Sequence, residues 1–101
     1  MAIKQKDPSS IFDGYMSLGY LHEQQFLKDD SDLKHRNLAE KYYLQALETY
    51  QSNRDQIPFS SNLSFVSSNL AHLYLRSYPE SYRAKAKKYA ELAKQQGQQS
   101  N

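Results

Sequence analysis

Residues 38–47, LAEKYYLQAL, recur in altered form at 85–94 as KAKKYAELAK. At one constant offset Ala39 meets Ala86, Lys41 meets Lys88, Tyr42 meets Tyr89 and Ala46 meets Ala93. Small and aromatic residues at three- and four-residue intervals, with charges between them, describe a helix that buries one stripe. Such a helix cannot bury its stripe alone, so a short chain that contains it twice is constrained to pack helix on helix.

The remainder of the chain supplies partners for the two copies. Ser10 and Asp13 have capping-box spacing and predict a first helix over about 10–27. The charged segment KDDSD leads into a second helix over about 33–52, whose positive end suits the acidic residues before it. After the break at SNRDQIP, the helical spacing of Phe59, Leu63, Val66, Leu70, Leu73 and Tyr74 predicts a third helix over about 59–76. Its serines lower intrinsic helix propensity, so packing must hold it. Ser77, Pro79 and Glu80 open a fourth helix over about 79–96, which Gly97 ends. Residues 1–9 and 97–101 are expected to be flexible. With no strand-like alternation, the expectation is an all-α domain spanning 1–101: two antiparallel helical hairpins, repeats of about 10–52 and 59–96, stacked as a short solenoid.

Composition narrows the function classes. Lys and Arg number 13 against 11 for Asp and Glu, interspersed, and a net charge of +2 makes no field that nucleic acid would reward. The absence of cysteine removes disulfides, thiolate metal sites and thiol nucleophiles together. No run approaches the length of a bilayer span, and the N-terminus lacks the apolar stretch of a signal peptide, so no membrane partner is expected and a cytoplasmic location is favoured. His22, His35 and His72 lack metal-ligand spacing, and Asp29, Asp30 and Asp32 lack the glycine and distal glutamate of a calcium loop. No glycine-flanked serine and no phosphate-cradling loop is present. The expectation is a non-enzyme without metal or cofactor. The basic run RAKAKK reads as the wet face of the last helix.

YMSLGYLHE (15–23) and SSNLAHLYL (67–75) each place a leucine before a small residue, Leu18-Gly19 and Leu70-Ala71, where a partner helix can approach closely. Tyr15, Leu18, Gly19, Ala39, Tyr43 and Ala46 in the first copy, with Leu70, Ala71, Tyr74, Ala86 and Ala93 in the second, resemble the tetratricopeptide repeat. The repeat here is longer than the usual 34 residues of that family, a spacing that also suits a HEAT-like pair. The texture is most similar to divergent repeats of bacterial signalling and regulatory proteins. The resemblance implies a protein- or peptide-binding scaffold, such as the regulatory or sensory segment of a larger protein, with the partner on the first-helix face. Carried onto this chain, that face comprises Asp13, Met16, Tyr20, Glu23 and Gln24 with Phe65, Ser68, Asn69, His72 and Arg76. Tyr20, Glu23, Phe65, Asn69, His72 and Arg76 are the candidate partner-binding residues. Asn69 matches a family position that grips a peptide backbone or terminal carboxylate, but Met16 stands where a carboxylate-clamp lysine is usual, so the face reads as an aromatic and polar groove.

The alternative is self-association. Ile11, Phe12, Tyr15, Met16, Leu18, Tyr20, Phe26 and Leu27 spread over half or more of the first helix, wider than one neighbouring hairpin covers. Phe12, Met16 and Tyr20 are then the face expected to meet a second copy in a homodimer, or flanking repeats of a longer chain, unless the loop at 55–58 folds over them.

Overall fold

A computed structural model of the chain describes residues 7–29, 31, 33–57, 61–77 and 83–99. Four helices follow one another: α1 (Pro8–Lys28), α2 (Leu33–Ser52), α3 (Ser61–Ser77) and α4 (Arg83–Gln99). No strand occurs among the described residues, and α1 packs on α2, α3 on α4, and α2 on α3. The architecture is all-α, two helical hairpins stacked through α2 and α3.

The start of α1 differs from the capping box expected at Ser10. Asp7 is the N-cap, its Oδ1 accepting from the Ser10 amide at 2.8 Å, and Pro8 begins the helix where its missing N–H costs nothing. Residues 7–9 are therefore part of the helix start rather than a flexible end. At the other end α4 continues through Gly97 to Gln99. The expected capping residues Pro79 and Glu80 lie outside the described residues, as do Phe59 and Pro58.

Buried Ala39, Tyr43 and Ala46, the residues that carry the expected pattern, form the stripe of α2 and Tyr50 extends it. Tyr43 enters the space left by Gly19 on α1. Helix α3 is the most deeply buried: Leu63, Val66, Ser67, Leu70, Ala71, Leu73 and Tyr74 are all inside, since it faces both α2 and α4. Its serines are accommodated because they have partners. Ser64 Oγ donates to the Ala93 carbonyl at 3.0 Å, and buried Ser67 Oγ donates to Gln96 Oε1 at 2.8 Å. Across the other face, Tyr74 donates from its hydroxyl to Glu40 Oε2 at 2.6 Å while its ring stacks on Tyr89.

The repeat is thus less symmetrical in space than in sequence. Tyr42 and Tyr89, the aligned pair, are both half-buried, whereas the core aromatic Tyr43 is aligned with Ala90, which is exposed. The first hairpin closes on the buried Tyr43 ring, and the second on the Tyr74–Tyr89 stack together with the Ser64 and Ser67 hydrogen bonds.

Candidate functional site

The first helices of the two hairpins meet through Tyr20 on α1 and Phe65 on α3, whose ring centroids lie 5.7 Å apart. Both rings stay exposed, Tyr20 at 46% and Phe65 at 40%. Glu23, one helical turn along from Tyr20, is the most buried charged residue of α1, at 6% exposure. It shares the stripe of Phe12, Gly19 and Phe26 and is thereby drawn toward α2.

There its Oε1 accepts from the Tyr43 hydroxyl at 2.6 Å, and the same hydroxyl oxygen accepts a longer bond from Asn69 Nδ2 at 3.3 Å. One tyrosine oxygen so links α1, α2 and α3. Burial pushes the Glu23 carboxyl above its ordinary range, against the Tyr43 hydrogen bond and the positive charges of His72 and Arg76, which pull it down. Burial raises the Tyr43 hydroxyl strongly, and its bond to Glu23 and that residue's charge raise it further. His72 and Arg76 are exposed on α3 and act on Glu23 from solvent.

Tyr20, Glu23, Phe65 and Asn69 are therefore neighbours at the junction of α1 and α3, with His72 and Arg76 in electrostatic reach. The three residues expected on a self-association face separate. Phe12 is 3% exposed inside the core and Met16 packs against that core, so neither offers an open surface to a second copy. Only Tyr20 remains available, and it is in contact with Phe65. The uncovered apolar side of α1 lies instead along Ile11, Leu18 and Leu21. Beside it a hollow of about 280 Å³ runs between Ile11, Tyr15, Gln45 and Asn53.

Sequence spacing gave no sign that His22 and His35 meet, since they approach across the hairpin. Their Nδ1 atoms are 2.9 Å apart and their ring centroids 5.1 Å, with the planes 24° from parallel. The centroid separation exceeds the nitrogen separation by about two ring radii, so the nitrogens face each other head on. One must donate and the other accept, and the arrangement holds a single proton between the rings. Tyr42 stacks on His22, and Tyr15 on Tyr42, continuing the row.

Burial first, then His35 and Lys34, hold the His22 imidazole below its ordinary value. A depressed histidine contributes stability that is present above its unfolded value of about 6.5 and lost as pH falls through the folded one. Glu23 acts in the opposite sense: its raised carboxyl favours the fold most below the unfolded value and progressively less as pH rises through the folded one. The histidine contribution is isolated by comparing wild type with His22→Asn. The fall in urea midpoint between about pH 7.5 and about pH 5.5 is expected to be smaller in the variant, and equal falls would remove His22 as the source.

Among the described residues no group of three or more His, Asp or Glu is placed to hold a metal ion, and no helix is long and apolar enough to cross a membrane. Compared with protein-family models, curated proteins and solved structures, the chain matches none.

Proposed function

We propose that this chain is a non-catalytic scaffold that binds a protein or peptide segment along the junction of α1 and α3. The observation that carries the reading is the exposed Tyr20–Phe65 ring pair between the two hairpins, beside the Glu23–Tyr43–Asn69 hydrogen bonds. Exposed aromatic surface next to fixed polar groups is the composition of a peptide-contacting centre. The tetratricopeptide-like resemblance favours the same face and suggests a regulatory segment of a larger protein.

The test is selection of random dodecapeptides on the immobilised protein, followed by affinity measurement with Tyr20→Ala and Arg76→Ala. Binding is expected to weaken about tenfold or more with Tyr20→Ala and by less with the solvated Arg76→Ala, while far-ultraviolet circular dichroism stays unchanged. Peptides that hold wild type and both variants equally would remove the groove.

A second reading, self-association, is favoured by the uncovered side of α1, where Ile11, Leu18 and Leu21 are exposed. Sedimentation as a clean monomer at tens of micromolar would exclude it.

A further inference from the structure

The Glu23 carboxylate is a charge almost withdrawn from water without a cation in contact. Its Oε1 is engaged by Tyr43, while Oε2 has no hydrogen-bond partner among the described residues and is not sealed from solvent. The groups around it belong to the α1–α3 face: Asn69 bonds to the same tyrosine oxygen, Tyr20 lies in electrostatic reach of that oxygen, and His72 and Arg76 in reach of the carboxylate. A neutral donor placed at Oε2 would satisfy the oxygen but leave the charge uncompensated. A guanidinium or ammonium group would do both.

We infer that the α1–α3 face recognises a basic side chain of its partner, a lysine or arginine whose head meets Glu23 Oε2 and whose stem lies against the Tyr20 and Phe65 rings. The inference rests on the peptide-binding reading and specifies it. The ring pair supplies the second half of the recognition: an aromatic face attracts the cation, and the apolar stem covers exposed ring surface. Tyr43, whose hydroxyl oxygen itself accepts from Asn69, holds the carboxylate at Oε1, so the acceptor is positioned before the ligand arrives. His72 and Arg76 oppose a second cation near the carboxylate, but both are exposed and screened by solvent.

The dodecapeptide selection decides the matter when it is run in parallel on wild type and Glu23→Gln. The glutamine keeps the shape and still accepts from Tyr43, so the variant is expected to fold, as its urea midpoint would verify. Lysine or arginine is expected to dominate one position of the wild-type binders. Replacing that residue by norleucine, or Glu23 by Gln, is expected to weaken binding at least tenfold. In the wild-type complex the Glu23 carboxyl carbon should titrate at lower pH than in the free protein, a shift that a purely structural glutamate would not show. Binders without a basic residue, binders indifferent to Glu23→Gln, or an unmoved Glu23 titration overturn the inference and leave the scaffold reading in place. A selection that yields no binder overturns both.

Discussion

Gly19→Ala is expected to destabilise the fold by roughly 1–3 kcal/mol, although alanine is the better helix former by about 1 kcal/mol. A Cβ at Gly19 would lie 2.6 Å from Tyr43 Cδ1, 2.7 Å from Cε1 and 3.0 Å from Cγ. The ring has nowhere to retreat, being wholly buried and held at its hydroxyl by Glu23 and Asn69. Gly14, on the same helix, has nothing within 4 Å of its would-be Cβ beyond the local backbone of α1 itself. Gly14→Ala should therefore gain up to about 1 kcal/mol through propensity alone. Urea unfolding of the two variants should place them on opposite sides of wild type. The loss at Gly19 should also shrink when Tyr43 is replaced by leucine, since the clash is with the ring. If Gly19→Ala matched Gly14→Ala, the close approach of α1 and α2 at this point would be refuted.

That contact marks where sequence reading reached and where it stopped. The four helices and the small residue at Gly19 were legible because a buried stripe must recur at helical spacing whatever its neighbours are. Tyr43 was legible as the packing aromatic from the tetratricopeptide-like pattern of Ala39, Tyr43 and Ala46, although the internal alignment pairs Tyr42, about 100° around the helix, with Tyr89. The first helix starts at Asp7-Pro8 rather than at the expected Ser10–Asp13 spacing, a difference of less than one turn. Glu23 was legible as a member of the α1–α3 face, whereas its burial was not drawn from its place on the Phe12–Gly19–Phe26 stripe. A charged residue in an apolar stripe is the signal that could have shown it. Phe12 lies on that same stripe, which is why it packs inward rather than forming an open face. The His22–His35 pair depends on the register of two helices joined by a charged loop, a quantity that local spacing does not encode.

Tyr43→Phe should cost about 2–3 kcal/mol at neutral pH, because the variant keeps the ring and removes the hydroxyl on which three helices converge. Without it the Glu23 carboxylate loses its only hydrogen bond among the described residues, and Asn69 Nδ2 loses an acceptor. The cost is mainly that of a buried charge left without its donor, so it should depend on pH with a definite sign. Removing the Tyr43 bond takes away a contribution that lowers the Glu23 carboxyl, which then rises further in the folded state. The destabilisation should accordingly grow as pH increases through that raised value and diminish as acid neutralises the carboxyl, toward the unfolded range near about 4.3. Glu23→Met in the Tyr43→Phe background removes both partners and should recover most of the loss, because an apolar pair leaves no desolvated charge behind. A double-mutant cycle on urea midpoints would then report a coupling of about 1.5–3 kcal/mol between the two positions. Additive effects, or a Tyr43→Phe penalty that stays constant down to the carboxyl range, would mean that the Glu23 charge is held by solvent and not by the tyrosine.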